Sequence, residues 1–150
     1  MIAAAFSIAL ACPAPEPMGL NRSAQVEAYA QRSIAIVKAA KALDREQIEE
    51  WVRPDAEFSY VTGGPTIMFA SGFAGIADLA VLLNSSFVFD VRYEHHRTDP
   101  CGDYTIDIRF PDDDGSKTVT VEFSYEDGTL VSAVGTLRST VTGSLEEVIN

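Results

Sequence analysis

Residues 110–137 read FPDDDGSKTVTVEFSYEDGTLVSAVGTL, and this stretch decides the fold. Apolar and polar residues alternate on both sides of Asp114-Gly115 and Asp127-Gly128, which is the period of a β-strand with one buried face. Asp-Gly tolerates the positive φ angles of a two-residue hairpin turn. The stretch therefore predicts three antiparallel strands that are joined by two tight turns.

The turns also predict the register of the strands, and with it the face on which each side chain lies. A turn at Asp114-Gly115 places these residues opposite each other: Tyr104 and Tyr125, Ile106 and Phe123, Ile108 and Val121, Phe110 and Val119. A turn at Asp127-Gly128 adds Tyr125 and Leu130, Phe123 and Ser132, Val121 and Val134. Both registers gather apolar side chains on one face, which we expect to pack against helices.

The rest of the chain predicts helices first and strands afterwards. Apolar residues at helical spacing predict helices over residues 23–43, from Asp44 to Pro54, and over residues 72–83. Strand patterns predict the other elements, over residues 55–62, 66–70, 87–97, 103–110, 117–125 and 129–140. Helices that precede a run of strands, without alternation, indicate a single α+β domain.

A small set of polar side chains lies on the inward face of the predicted sheet or close to it: Tyr60, Tyr93, His95, Arg97, Tyr104, Tyr125 and Ser132. Among tyrosine hydroxyls, His95 could act as a general base, and Arg97 could bind a carboxylate. Alternatively, these residues only close the rim of the sheet, with their polar atoms bonded to backbone or water. Asp107 and Glu122 point outward in this register, which argues against catalysis by inward carboxylates.

Three stretches resemble one superfamily: ALDREQIEEWVRPDAEFSY (42–60), GFAGIADL (72–79) and VEFSYEDGTLVSAV (121–134). In this order they resemble the nuclear-transport-factor-2-like (NTF2-like) proteins, a group that includes ketosteroid isomerase, scytalone dehydratase and polyketide-cyclase-like proteins. The resemblance covers residues 22–142. It implies a cystatin-like cone, in which three N-terminal helices pack in the concave face of a curved, mainly antiparallel sheet, with a pocket at the open end.

The resemblance also implies frequent dimerisation through the outer face of the sheet. On that face the predicted register leaves an apolar corner, Val131, Ala133 and Leu137, among charged neighbours. A second copy of the chain is therefore the predicted protein partner. The formal net charge of −11 argues against nucleic acid as a partner.

The first 17 residues predict a leader followed by an extended, proline-rich linker. Residues 2–11 are apolar, too short to span a bilayer as a helix, and end in a small-x-small cleavage site at Ala9-Leu10-Ala11. This pattern predicts a periplasmic or secreted protein, with a cytoplasmic protein as the alternative if the leader is not used. Lipidation at Cys12 is a second alternative. Cys12 and Cys101 do not indicate a disulfide framework. Residues 143–150 are expected to form a C-terminal tail.

No metal or cofactor is predicted. His95 and His96 are adjacent on a strand and point to opposite faces, so they do not form a ligand pair. The acidic run 112–115 lacks the alternating ligand spacing of a calcium loop. The leading hypothesis is a domain that binds a small apolar molecule in its cone. The alternatives are a dehydratase or cyclase that uses His95 as its base, and a homodimeric interaction module.

Overall fold

The computed structural model describes residues 12–17, 19, 24–90 and 99–139. Its helices are α1 (Ala24–Lys41), α2 (Arg45–Trp51) and α3 (Phe73–Val81). Its strands are β1 (Val52–Val61), β2 (Ile67–Met68), β3 (Val88–Asp90), β4 (Tyr104–Pro111), β5 (Lys117–Glu126) and β6 (Thr129–Ser139). None of the described helices is long and apolar enough to cross a membrane.

The six strands form one curved, mixed sheet in the order β2-β1-β6-β5-β4-β3. Every neighbouring pair is antiparallel except β1 and β6, which run parallel. Three helices and this sheet give an α+β fold, as the sequence predicts. The inward side chains of β4 and β5 alternate with exposed or half-buried ones, and they form the hydrophobic core together with α1 and α3.

The long helix α1 forms for the reason its sequence suggests. Its apolar residues recur at helical spacing, and each of these is buried: Val26, Tyr29, Ala30, Ile34, Val37 and Ala40. This apolar face contacts β4 and α3. Burial of this apolar face stabilises a helix of this kind more than intrinsic helix propensity does.

The helix α2 begins as predicted and ends earlier. The Asp44 carboxylate accepts a hydrogen bond from the Gln47 amide at 3.3 Å, which is the expected N-cap. In a capping box the Gln47 side chain would return to the backbone of Asp44; here it donates to Glu50 at 3.4 Å instead. The strand β1 starts at Val52 and includes Pro54, so the predicted helix end at Pro54 is wrong by about one helical turn.

The first predicted register, between β4 and β5, is confirmed at every pair. Asp107 lies opposite Glu122, between the buried residues Ile106 and Ile108, so both carboxylates belong to the outer face. The Asp127-Gly128 turn is also confirmed, with φ angles of 50° and 80°. Tyr125 lies opposite Leu130, directly beside this turn.

Beyond that pair, the predicted register of β6 is wrong. A β-bulge separates Ser124 and Tyr125, so that Ser124 lies opposite Ser132 and Val131 is the extra residue. Phe123 therefore lies opposite Ala133, where Ser132 was predicted, and Val121 lies opposite Gly135 instead of Val134. One extra residue moves every later side chain of the strand to the other face.

The bulge also corrects the predicted dimer contact. Ala133 is fully buried and Leu137 packs against the core, so these residues do not form an apolar corner on the outer face. Ser132 and Val134 occupy that face instead, and Val134 is exposed. The physical reason is that burying Ala133 and Leu137 removes more apolar surface from water than burying Ser132 and Val134 would. Dimerisation itself stays a prediction.

The two cysteines form a disulfide between Cys12 and Cys101, with a Cα–Cα distance of 5.9 Å. The expectation that these cysteines indicate no disulfide framework is therefore wrong. Residues 12–17 pack on the domain: Arg32 donates to the Pro13 carbonyl at 2.9 Å, and Gln25 donates to the Pro15 carbonyl at 2.8 Å. This stretch is not a free linker. Since the Cys12 sulfur is used in the disulfide, it is not available for lipidation.

Candidate functional site

The structure brings only some of the predicted site residues together. Tyr104 and Tyr125 are neighbours on β4 and β5, and both are buried. Ser132 lies on the outer face, so its predicted inward position is wrong. Three predicted site residues lie outside the described part of the chain: Tyr93, His95 and Arg97. The role of His95 as a base therefore stays a prediction.

Tyr60 does not join the other two tyrosines. It lies opposite Gly135 of β6, which lies opposite Val121 of β5. Tyr125 is four residues further along β5, a separation of about 13 Å at the rise of a strand. The inward tyrosines therefore do not form one site.

Tyr104 and Tyr125 instead form a cluster with Tyr29 of α1. The Tyr29 ring stacks on Tyr104 with 4.4 Å between ring centroids and contacts Tyr125 at 4.7 Å. Ser33 is one turn further along α1 and bonds to Tyr125. We call Tyr29, Ser33, Tyr104 and Tyr125 the tyrosine cluster. Sequence reasoning placed Tyr29 in the core but did not connect it with Tyr104 or Tyr125.

Every hydroxyl proton of the tyrosine cluster is used within the fold. Ser33 Oγ donates to the Tyr29 carbonyl at 2.8 Å, and a serine has one proton to donate. Tyr125 must therefore donate to Ser33 Oγ, at 2.7 Å. The other two hydroxyls donate to the loop before β4: Tyr104 to the Asp99 carbonyl at 2.6 Å, and Tyr29 to the Pro100 carbonyl.

The protonation of the cluster supports a structural role. Burial raises the pKa of Tyr29 to about 12. Burial also raises the pKa of Tyr125 far above its ordinary value, and the hydrogen bond with Ser33 offsets only part of this. Both hydroxyls are protonated at neutral pH, so neither can act as a general base there. The alternative in which the predicted site residues only close the rim of the sheet stays a prediction, because Tyr93, His95 and Arg97 lie outside the described residues.

Removal of the two partners of the Ser33–Tyr125 hydrogen bond is expected to lower stability by unequal amounts. Ser33→Ala is expected to lower the free energy of unfolding by about 1–3 kcal/mol, because it leaves the buried Tyr125 hydroxyl without an acceptor. Tyr125→Phe is expected to cost only about 0.5–1.5 kcal/mol, because Ser33 retains its bond to the Tyr29 carbonyl. Urea unfolding measures both. The double variant should lose less than the sum of the two, and strictly additive losses would contradict the network.

A different group of residues forms an apolar cleft between α1 and the β3–β4 edge of the sheet. Its apolar walls are Ile34, Val37, Phe87 and Phe110, and its rim carries Lys38, Lys41, Asn84 and Ser85. We call this the α1 cleft; its volume is about 60 Å³. Ile34, Val37 and Phe110 are buried, whereas Phe87 is 36% exposed.

The rim of the α1 cleft carries two lysines and is partly held in place by hydrogen bonds. Two of the chain's three lysines, Lys38 and Lys41, lie there, although the chain has a formal net charge of −11. Lys41 Nζ donates to the Leu83 carbonyl. Asn84 Nδ2 donates to the Pro111 carbonyl at 3.1 Å and to Asp113 at 3.0 Å. Lys38 is exposed, so its ammonium group is accessible to an anion.

Two larger hollows differ from the cleft in their chemistry. One, of about 520 Å³, lies on the outer face of β4–β6 and is lined by both signs of charge: Asp107, Glu122, Arg109 and Arg138. The other, of about 410 Å³, lies between α2, β1 and α3. There Arg45 bonds to Glu49 at 2.7 Å and lies 5.2 Å from the centroid of the Phe73 ring. In both hollows, arginine and carboxylate side chains line the same surface.

Comparison with known proteins shows similarity in structure only. No family model matches the chain, and no curated protein matches it. An NTF2-like protein of unknown function from Silicibacter pomeroyi DSS-3 is 12% identical, with a TM-score of 0.54 over 79% of this chain and 100% of that one. An NTF2-like protein of unknown function from Mesorhizobium loti is 20% identical, with a TM-score of 0.47 over 81% and 98% of the two chains.

Proposed function

Because the chain has the NTF2-like fold, we propose that it binds a small apolar molecule that carries an anionic group, and that the α1 cleft is the site. The observation that carries this proposal is the pairing of an apolar floor with two lysines in an otherwise acidic chain. The floor selects an apolar group. The lysines select a carboxylate or a similar anion.

The size of the cleft limits how the ligand binds. A volume of about 60 Å³ is well below the roughly 300–1,000 Å³ of pockets that enclose a whole ligand. The cleft therefore holds one end of the molecule, and the remainder lies along the exposed ring of Phe87. Burial of the apolar end supplies most of the binding free energy, since an exposed ion pair contributes only about 0–1 kcal/mol. Alkyl or aromatic carboxylic acids of modest length fit this description.

Calorimetric titration with decanoate and with 1-decanol tests the proposal. We expect decanoate to bind several-fold more tightly than the alcohol, because only decanoate has an anion for Lys38 and Lys41. Phe87→Ala should weaken the binding of both, since it removes apolar contact area. Lys38→Gln should weaken decanoate about threefold, the effect of one exposed ion pair, and leave the alcohol unchanged.

The chain offers a matched control for the lysine. Lys117 is also exposed but lies at the start of β5, outside the cleft. Lys117→Gln removes the same charge and should leave the affinity for decanoate unchanged. Equal affinities for decanoate in the Lys38→Gln and Lys117→Gln variants, or equal binding of the acid and the alcohol, would overturn the anionic part of the proposal. No binding of either compound would overturn the whole.

We further propose that the chain works in an oxidising compartment, as a periplasmic or secreted protein. The disulfide between Cys12 and Cys101 supports this, because such bonds persist outside the reducing cytosol. The apolar leader with its cleavage site after Ala11 supports the same location. Cleavage there would leave Cys12 in the mature chain, where the disulfide needs it.

A further inference from the structure

We propose that the disulfide between Cys12 and Cys101 is a site of thiol–disulfide exchange with a dithiol, and that its reduction releases residues 12–17 from the folded domain. We call residues 12–17 the N-terminal strap; the structure describes all of them. The oxidised form is the resting form, since the bond persists in an oxidising compartment. The proposal does not depend on the ligand of the α1 cleft.

Two hydrogen bonds from side chains of α1 hold the N-terminal strap on the domain. Arg32 Nη1 donates to the Pro13 carbonyl at 2.9 Å, and Gln25 Nε2 donates to the Pro15 carbonyl at 2.8 Å. The bond from Arg32 is exposed to solvent, and a bond that exchanges with water contributes little net stability. Among the described residues, no backbone–backbone hydrogen bond joins the strap to the rest of the domain.

The apolar packing of the N-terminal strap is also limited. Ala14 is half-buried and packs against the core, whereas Pro13, Glu16 and Pro17 are exposed. Ordering six residues costs conformational entropy, which the prolines of the strap reduce but do not remove. Without the covalent bond, we therefore expect the free strap to outnumber the docked strap.

The docked strap is accompanied by a buried polar atom without a partner. Gln25 is 4% exposed, and its Oε1 has no hydrogen-bond partner among the described residues. The Nε2 atom of the same amide is the donor to the Pro15 carbonyl. A buried acceptor that forms no hydrogen bond is destabilising, and release of the strap would open this amide to water. The disulfide, more than these contacts, thus keeps the strap in place.

The disulfide can be attacked from the side of Cys101. This residue is half-buried in the turn before β4, whereas Cys12 is 8% exposed. One thiolate of the dithiol attacks Sγ of Cys101 and forms a mixed disulfide, while Cys12 leaves as a thiolate and takes a proton from water. The second thiol of the reductant then breaks the mixed disulfide and releases Cys101 as a thiol. The chain gains two electrons and two protons, and the dithiol becomes a disulfide.

Release of the strap would change the surface of the N-terminal half of α1. Arg32 and Gln25 would lose the two carbonyls to which they donate, so a guanidinium and an amide become available to other acceptors. Arg32 also lies over the ring of Trp51, at 4.6 Å from the ring centroid. The redox state of the disulfide therefore decides whether this polar surface is covered or open.

Amide NMR of the ¹⁵N-labelled full chain tests the release. Reduction with dithiothreitol, which is a dithiol, should lower the ¹H–¹⁵N NOE of Ala14 and Glu16 to the values of a freely moving segment. Ile106 and Ile108 of β4 should keep the values of a rigid backbone, because the domain stays folded. The Cys12→Ala/Cys101→Ala variant should have the free strap without reductant. A strap that stays rigid in the reduced chain, or loss of the β4 signals on reduction, would overturn the proposal.

The rate of reduction tests whether the exchange occurs in the folded chain. Alkylation of the new thiols with iodoacetamide, followed by mass spectrometry, gives this rate. It should be proportional to the dithiothreitol concentration and nearly constant in urea below the unfolding transition. A rate that rises with urea in step with the unfolded population would show that the bond reacts only after global unfolding, and the proposal would fail.

Two glycine variants test the coupling between the strap and the disulfide. Gly128 and Gly115 each follow an aspartate in a hairpin turn, with φ angles of 80° and 72°, so alanine strains both turns alike. A Cβ at Gly128 would lie 2.7 Å from the Ala14 nitrogen, whereas a Cβ at Gly115 would have no heavy atom within 4 Å. This added contact exists only while the strap is docked.

Gly128→Ala should therefore shift the equilibrium of the disulfide with dithiothreitol toward the reduced chain, by about fivefold or more. Gly115→Ala should leave this equilibrium unchanged. If the strap stayed docked after reduction, the contact at Gly128 would be present in both redox states and would shift nothing. Equal equilibria for the two variants and the natural chain would thus overturn the coupling.

Discussion

Removal of the disulfide is expected to lower the free energy of unfolding by about 3–5 kcal/mol. The two cysteines are 89 residues apart in sequence, so the bond closes a long loop in the unfolded chain. In the chain-entropy account, a loop of this length contributes about 4.5 kcal/mol. A Cys12→Ala/Cys101→Ala variant avoids a leftover thiol and should show this loss in urea unfolding. It is a large share of the about 5–15 kcal/mol typical of a domain.

Reduction of the natural chain provides the control. Dithiothreitol should lower the unfolding midpoint of the natural chain to that of the double variant, and it should leave the double variant unchanged. Equal midpoints for the oxidised and reduced natural chain would contradict the prediction. Protein isolated from its own host with its thiols trapped should carry no free thiol, since the described chain has both cysteines in the disulfide.

The disulfide also supports the tyrosine cluster. Cys101 directly follows Asp99 and Pro100, whose carbonyls accept the hydroxyl protons of Tyr104 and Tyr29. Reduction releases Cys101 from Cys12, and with it one restraint on this loop. The near-ultraviolet circular dichroism of the tyrosines should therefore weaken on reduction, even under conditions in which the chain stays folded.

The sequence predicts best those parts of the fold that depend on hairpin turns and on the alternation of apolar and polar residues. The β4–β5 register follows from alternation on both sides of one turn, and every pair is as predicted. The β5–β6 register is correct beside the Asp127-Gly128 turn and wrong from Ser124 onward. Nothing in the alternation marks Val131 as an extra residue, because both possible faces of β6 contain apolar side chains. Packing against the helices selects between them.

The candidate site was harder to predict because its parts are distant in sequence. The inward positions of Tyr104 and Tyr125 follow from strand periodicity, but their contacts with Tyr29 and Ser33 depend on how α1 crosses the sheet. Lys38 is on the exposed side of α1, so periodicity alone indicates only a solvated residue. The cleft lies between α1 and the side chains of Phe87 and Phe110, which are far from α1 in sequence. Sequence alone does not predict the disulfide, because Cys12 lies within the 17 residues that predict a leader and a linker.

Gly75→Ala is expected to destabilise the domain by about 3 kcal/mol or more, although it lies inside a helix. Within α3, alanine has the better helix propensity, by about 1 kcal/mol. A Cβ at this position, however, would lie 1.8 Å from the Ala70 carbonyl oxygen and 2.8 Å from Cδ2 of Phe58. The carbonyl belongs to the backbone and cannot rotate away as a side chain would. The clash therefore outweighs the gain in propensity.

Gly64→Ala is the matched control, because a Cβ there would have no heavy atom within 4 Å. It restricts the unfolded chain in the same way as Gly75→Ala and should leave stability unchanged or raise it by up to about 1 kcal/mol. Urea unfolding of the two variants separates the effect of close packing from that of chain entropy. Since Gly75 sets how closely α3 approaches β1, the loss should be accompanied by a change in the packing of Phe58. Unaltered stability in Gly75→Ala would mean that α3 can move away from the sheet at little cost.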